Sequence, residues 1–436
     1  MGLLEEKNAA AAHAPADREK TSHRGTLKIT AVKGMTIGKP AVKIAAIIFL
    51  LYLFLVSIGL MESAFRFFGQ DSAEKLFALA SNRFVGLFIG ILTTALVQSS
   101  SFTTSLTVGL VGSGVLTINV AIPIIMGANI GTSVTNTLVA HGHVGRRDEF
   151  KRAIQAGIVH DFFNLIAVVI LFPLEMMFGL LERAALFATS LFGSASGATF
   201  DSPVKEAIKP VVGAITDSIA TFQLSQIVMG IGLLVISLLL LFFSLFLIVK
   251  VLKSLVLSRI ESFFSTYMFR NAALGFLMGL IFTAVVQSSS VTTSLIVPMA
   301  AAGILTLEQI FPYTLGANMG TTVTALLASL ATISAGNLGG VTVAFTHLLF
   351  NAFGILIIYP LRFIPIGLAR EMGNRSAENR LVPFLYVIVV FFYVPGLCIY
   401  LSEYGLTVVG MLLLAALPSL ILLFSMLSKR IQKRAR

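Results

Sequence analysis

Apolar stretches separated by short polar or basic segments run through most of the chain. Residues 44–61, 117–140, 153–174, 225–249, 306–331, 341–360, 382–402 and 405–427 each read as a membrane-crossing helix, which needs about 20 predominantly apolar residues. Two further stretches break that rhythm. Residues 84–97 and 102–116 are both short, and Gln98-Ser99-Ser100-Ser101 separates them. Fourteen helical residues rise about 21 Å, against roughly 30 Å of hydrocarbon. The pattern therefore predicts a re-entrant hairpin over 84–116 with its tip at Gln98 to Ser101. A second hairpin over 274–304 has its tip at Gln287-Ser288-Ser289-Ser290. Non-helical backbone at that depth must be buried in protein or line a wet cavity.

The two hairpins belong to an internal repeat. Gln98 and Gln287 are 189 residues apart, as are Gly127 and Gly316. Residues 85–140 and 274–329 align without a gap, and about half of the positions are identical. Gly127-Ala128-Asn129-Ile130-Gly131-Thr132 recurs as Gly316-Ala317-Asn318-Met319-Gly320-Thr321. These glycine segments predict a break in each spanning helix, since glycine permits unwinding and close backbone approach.

Loop charge orients the chain. The loop 141–152 carries Arg146, Arg147, Lys151 and Arg152, which places it in the cytoplasm. The equivalent loop of the second copy, 332–340, carries no charge and falls on the opposite face. The expected architecture is an all-α polytopic membrane protein of two inverted-topology repeats, each with a re-entrant hairpin and a broken helix. Roughly eight spans and two hairpins put both termini inside. Residues 1–42 read as a disordered basic cytoplasmic tail, 43–182 as the first repeat and 183–224 as an external linker. Residues 225–380 read as the second repeat and 381–436 as a C-terminal helix pair with a basic tail.

Composition fixes the class. The 436 residues are 56% hydrophobic and 12% charged, with a mean hydropathy of +0.93. A soluble domain carries about 25% charged residues. The net charge of +11 gathers at the ends and in a few loops, as cytoplasmic flanks require. That distribution argues against nucleic acid as a partner. A single cysteine, Cys398, leaves no disulfide framework and no cysteine metal site. Nothing in the pattern fixes an oligomeric state.

The polar clusters carry the chemistry. A hairpin tip offers hydroxyl and amide oxygens to a hard cation and free backbone N–H groups to an anion. Asn129, Thr132, Asn318 and Thr321 add side-chain oxygens nearby. No Lys or Arg lies in either cluster, so a bound dianion would be neutralised by co-bound cations, and each ligand would assist the other. Inverted repeats with broken helices near the midplane indicate a secondary transporter with its site at the repeat interface.

Asp161 is the one acidic residue well inside an expected span. It lies in His160-Asp161-Phe162-Phe163-Asn164, and the second copy, His347-Leu348-Leu349-Phe350-Asn351, repeats the His and Asn but not the acid. An intramembrane acid is a functional candidate; the alternative is a structural partner for His160 or an arginine. A rival reading, an intramembrane serine hydrolase using Ser99 to Ser101 with His160 and Asp161, has the residue types of a triad. It lacks a G-x-S-x-G motif and leaves the duplication of the cluster unexplained.

The motifs VQSSS at 97–101, AIPIIMGANIGTSVTNTLVA at 121–140, EFKRA at 149–153 and VHDFFN at 159–164 resemble the type II sodium–phosphate cotransporter family. So do VQSSSVTTS at 286–294 and PYTLGANMGTTVTALLA at 312–328. The short, cysteine-free segment 175–224 resembles bacterial members, because animal members carry a long cysteine-bearing loop there. The resemblance implies no enzyme and no cofactor. It implies a multi-pass symporter of the inner cell membrane that takes up inorganic phosphate, as HPO4 2−, with sodium. Carried over, Gln98, Ser99, Ser100, Ser101, Gln287, Ser288, Ser289 and Ser290 would hold phosphate. Gln98, Thr104, Asn129, Thr132, Gln287, Thr293, Asn318 and Thr321 would hold sodium, the metal ion the site takes, with Asp161 and His160 as candidates for ion or proton coupling. A symporter of sulfate or a dicarboxylate remains the alternative substrate reading.

Overall fold

The structure is a computed structural model and describes residues 40–79, 82–195, 203–264, 271–333, 337–407, 409–410 and 412. The expected cytoplasmic tail therefore lies almost wholly outside the described residues. So does most of the expected last span, 405–427.

The described residues are built from helices. Helix α1 (Pro40–Leu79) is followed by α2 (Arg83–Val97) and α3 (Ser100–Gly112), the two arms of the first hairpin. Next come α4 (Ile118–Gly131), α5 (Val134–His141) and the long α6 (Arg147–Phe178). Helices α7 (Leu180–Ala195) and α8 (Pro203–Ala220) lead to α9 (Gln226–Phe264). The second hairpin is α10 (Ala272–Val286), then α11 (Ser289–Ser294) and α12 (Ile296–Ala301). Helices α13 (Leu307–Leu330), α14 (Gly339–Ile358) and α15 (Phe363–Glu378) follow. A last helix runs as α16 (Leu381–Ile388), a π-helical turn (Val389–Tyr393) and α17 (Val394–Glu403).

Six of these segments are long and apolar enough to cross a membrane among the described residues: 41–61, 118–141, 147–178, 226–248, 339–358 and 381–403. Each coincides with an expected span. The expected span 306–331 is a helix of suitable length, α13, but its GANMGTT segment makes it less apolar. Each short-armed stretch is helical and interrupted at its QSSS cluster, between α2 and α3 and between α10 and α11.

Two expectations need correction. The segment 183–224 is no simple linker: it contains α7 and α8, which pack against α14 and against α1 and α9. Tyr52 of α1 donates to the Ala207 carbonyl at 3.1 Å, and Thr189 of α7 meets Thr342 of α14 at 3.1 Å. Second, the glycine segments do not unwind. Helix α13 passes unbroken through Gly316–Gly320, and in the first copy the helix breaks only after Gly131, at Thr132 and Ser133.

The glycines instead let helices touch. A Cβ on Gly127 would stand 1.9 Å from the Leu87 carbonyl oxygen of α2, and one on Gly316 would stand 1.9 Å from that of Phe276 on α10. Across each contact, a Cβ on Gly90 would stand 2.1 Å from the Ile124 carbonyl oxygen, and one on Gly279 would stand 2.0 Å from that of Tyr313. Small residues four apart permit this approach in membrane helices. Around these pairs sits one apolar core, which includes Phe84, Phe88, Phe150, Phe163, Phe311 and Phe350.

Candidate functional site

Each hairpin is built by the same local rules. Asn82 caps α2 by accepting from the Phe84 and Val85 N–H groups at 2.9 and 3.3 Å, and Asn271 caps α10 by accepting from Leu274 at 2.8 Å. Such caps satisfy donors that a helix start leaves open. Each incoming arm ends on a glutamine in the left-handed region, with φ 58° at both Gln98 and Gln287. That conformation is costly for a residue other than glycine, so something must hold it. The side-chain amide supplies the brace. Gln98 donates to the Ala95 carbonyl and accepts from the Thr135 hydroxyl at 2.7 Å. Gln287 donates to the Ala284 carbonyl and accepts from Thr324 at 2.7 Å.

The next serine restarts the helix. Ser99 accepts from the Phe102 N–H at 3.2 Å, and Ser288 accepts from that of Val291 at 3.4 Å. The N–H groups of the following two serines have no intrahelical partner by geometry. Both tips thus present N–H groups and hydroxyls together.

The tips meet. Ser101 donates to the Gln287 carbonyl at 3.2 Å, and Ser290 reaches the Thr132 carbonyl at 3.5 Å. Thr293 donates to the Asn136 amide oxygen at 2.9 Å. A cavity of about 490 Å³ opens between them, lined by Gln98, Ser99, Ser101, Gln287, Ser288 and Ser290 among others. Thr135 is a polar neighbour, and Phe242, Leu245 and Phe246 of α9 form an apolar wall. Among the described residues, no charged side chain lines it.

Of the expected site residues, Ser100 and Ser289 lie one position from the lining serines and are buried. The remaining oxygens lie deeper. Thr104 donates to the Ser101 carbonyl at 3.3 Å, Thr132 to Ala128 at 3.0 Å and Thr321 to Asn318 at 2.5 Å. Asn129 donates to Ile125 at 2.9 Å. Asn318 joins a chain across the repeats: it donates to the Asn164 amide oxygen at 2.8 Å, and its own oxygen meets His160 Nε2 at 2.5 Å. Asn164 in turn donates to the Asn129 carbonyl at 2.9 Å. None of Thr104, Asn129, Thr132, Asn318 or Thr321 lines the cavity. His160 and Asp161, adjacent in sequence, point to different partners, since Asp161 Oδ2 accepts from the Tyr386 hydroxyl at 3.2 Å. A serine–histidine–aspartate relay is therefore not assembled: among the described residues, no tip serine bonds to His160.

Thr135, Thr324 and Asn164 were not singled out as ligands from sequence. Thr135 and Thr324 stand at the same 189-residue offset as the glutamines they brace, so the repeat itself held that signal. Tyr386 lies outside both copies and left no such trace.

The hairpins are also tied down at their far ends. Arg152 of α6 donates to the Ala301 carbonyl at 2.9 and 2.6 Å, covering the C-terminus of α12. Asn337, at the start of α14, donates to the Gly112 carbonyl at 2.9 Å and covers the end of α3. Each outgoing arm is thus capped by the other copy.

Paired helical hairpins meet at a hydroxyl-lined cavity among membrane-spanning helices, the arrangement of a polytopic membrane protein. The family profile described as Na+/Pi-cotransporter matches residues 53–196 and 240–364. Sodium-dependent phosphate transport protein 2B of Homo sapiens is 33% identical over 83% of this chain and 64% of its own length. The 2B protein of Pongo abelii is 34% identical over the same shares, and the 2A protein of Mus musculus is 33% identical over 85% of this chain and 69% of its own. The chain belongs to the Na+/Pi-cotransporter family. It spans just under two thirds of the length of the 2B relatives. No solved structure matches it.

Proposed function

We propose that this protein is a secondary active symporter that couples sodium entry to uptake of inorganic phosphate by alternating access. The observation that carries this reading is the meeting of two hairpin tips of the same build at one cavity without a fixed positive charge. A dianion there needs mobile cations, and the serine and glutamine oxygens provide for them. Ser99 to Ser101 and Ser288 to Ser290, with the tip N–H groups, hold the phosphate. The amide oxygens of Gln98 and Gln287 face sodium in the same cavity. Thr104, Asn129, Thr132, Thr293, Asn318 and Thr321 act from the surrounding shell, where their hydrogen bonds set the carbonyls and tips in place. Inward sodium gains about 2.3 kcal/mol per charge per 100 mV of membrane potential.

The protein works as two inverted repeats in the inner cell membrane, with both termini cytoplasmic. Supporting this are the basic loop that leads into Arg152 and the uncharged segment near Asn337, which cap opposite hairpins. The test is uptake of labelled phosphate into proteoliposomes. Accumulation against the phosphate gradient that requires sodium, with competition by arsenate and not by sulfate, is expected. Uptake that ignores sodium, or that never exceeds equilibrium, refutes the reading; competition by sulfate or a dicarboxylate reassigns the anion.

A further inference from the structure

Two carboxylates are fully buried in the described structure, and they are treated differently. Glu175, near the C-terminal end of α6, faces Arg83 at 3.1 Å. It also accepts from the Leu181 N–H at 2.6 Å, at the start of α7. Its charge is matched. Asp161 sits mid-helix on α6, also with 0% exposure, and no Lys or Arg pairs with it among the described residues. Tyr386 donates to Oδ2, while Oδ1 has no hydrogen-bond partner. Ser133 stands beside the carboxyl, close enough to interact with it, but its buried hydroxyl completes no hydrogen bond of regular geometry.

A second, independent feature coincides with this one. Ser133 lies in the break between α4 and α5, which interrupts the first copy alone. In the second copy the corresponding helix, α13, is continuous, and Leu348 replaces the acid. Acid and helix break thus occur together, in one copy only. Asn136 and Thr137 follow Ser133 by three and four residues and share its helix face, and each has a buried unpartnered side-chain atom. An acid at this depth is either protonated or matched by a cation, and the unpartnered oxygens around Asp161 favour the cation. The surrounding donors are hard oxygens, and the single acid is too little charge for a divalent ion, which gathers several carboxylates.

We propose that Asp161, Ser133 and Tyr386 form a buried sodium site between the first repeat and α16, apart from the cavity between the hairpin tips. Asp161 supplies the charge, and the Ser133 and Tyr386 hydroxyls supply neutral oxygens. The site couples to the tips through α5, because Asn136, one turn beyond Ser133, receives the hydrogen bond from Thr293 of the second hairpin. The identity of the cation rests on the symport reading; the existence of a cation site does not. The site needs no phosphate, so sodium should bind to it before phosphate arrives.

The experiment uses the purified full chain. Thermal unfolding is followed against NaCl without phosphate, with choline chloride holding ionic strength constant. Sodium activation of phosphate uptake is then measured in proteoliposomes at several pH values. Wild-type protein should be stabilised by sodium. Asp161→Asn should weaken that stabilisation, raise the sodium concentration for half-maximal uptake about ten-fold and lower the Hill slope, with the phosphate KM at saturating sodium little changed. Ser133→Ala and Tyr386→Phe should shift sodium activation the same way by less, and they keep the test decisive if Asp161→Asn fails to fold. Wild-type sodium responses in the variants overturn the proposal. So does a changed pH profile with unchanged sodium activation, which would assign the carboxyl to a proton. If wild-type protein shows no sodium-driven phosphate uptake, the symport reading fails, while loss of sodium stabilisation in Asp161→Asn would still establish the cation site.

Discussion

Substituting Gly127 or Gly316 separates two roles for the repeated glycine segments. If they are contact surfaces, as the helix pairs indicate, an added methyl has nowhere to go. At both positions it would stand 1.9 Å from a backbone oxygen, and ordinary contact begins at 3.4 Å. The helices would have to separate by about 1.5 Å, the difference between those two distances, because no flexible side chain can yield. Overpacking a well-filled interface costs about 1–3 kcal/mol, and more when backbone must move. Each Gly→Ala change should therefore cost about 3 kcal/mol or more. Alanine also favours helix over glycine by about 1 kcal/mol, which offsets only part of this. Gly145→Ala, with nothing within 4 Å of the added Cβ, is the control. The measurement is thermal unfolding of purified protein in detergent, beside the yield of monodisperse material. Gly127→Ala and Gly316→Ala should lower both, and Gly145→Ala neither. If the two variants unfold like wild type and lose only transport, the glycines serve mobility, and the packing argument is refuted.

Gln98 and Gln287 combine a strained backbone with a bracing side chain, and two substitutions separate these. Gln287→Gly should keep the tip better folded than Gln287→Ala, by about 1 kcal/mol in thermal unfolding, because glycine accepts φ 58° without strain. Both should weaken sodium activation of uptake if the amide oxygen faces the cation; wild-type activation in either would remove the side chain from the site. Glu175→Gln should destabilise by about 2 kcal/mol, since it strips the charge from a buried carboxylate that faces the part-exposed Arg83. Adding Arg83→Met should recover much of that loss, and a double variant no more stable than Glu175→Gln would show that the pair carries little.

The hairpins were legible because they depend on local facts: arms too short to cross, and a polar tip between them. The helix break was misplaced because glycine carries two meanings. Read alone, Gly127 and Gly131 permit unwinding; at four-residue spacing opposite Gly90, they form a contact ridge. Deciding between these needs the partner helix, which sequence order does not supply. The packing of α7 and α8 was hidden for a similar reason. Both are strongly amphipathic, but which helices their apolar faces meet appears only once α1, α9 and α14 stand beside them. Asp161 was legible as an exception to the apolar pattern, but its partner Tyr386 comes from 225 residues away, outside the repeat.

The comparison of the two copies shows where the duplication constrains the fold and where it does not. Positions where backbone meets backbone recur: Gly90 with Gly279, and Gly127 with Gly316. Positions that set the tip recur as well: Gln98 with Gln287, and Thr135 with Thr324. The incoming arm and the next helix therefore behave as one unit in each copy, because their backbones touch and cannot slide without a clash. In the outgoing arms the copies diverge. Helix α3 is continuous, whereas its counterpart is divided at Leu295 into α11 and α12. Each outgoing arm is held at its end by a few hydrogen bonds from the opposite copy, through Arg152 or Asn337. Both outgoing arms are also packed along their length, α3 against α4, α13 and α14 and α12 against α6, so the two copies share their tips and incoming arms but seat their outgoing arms on different neighbours.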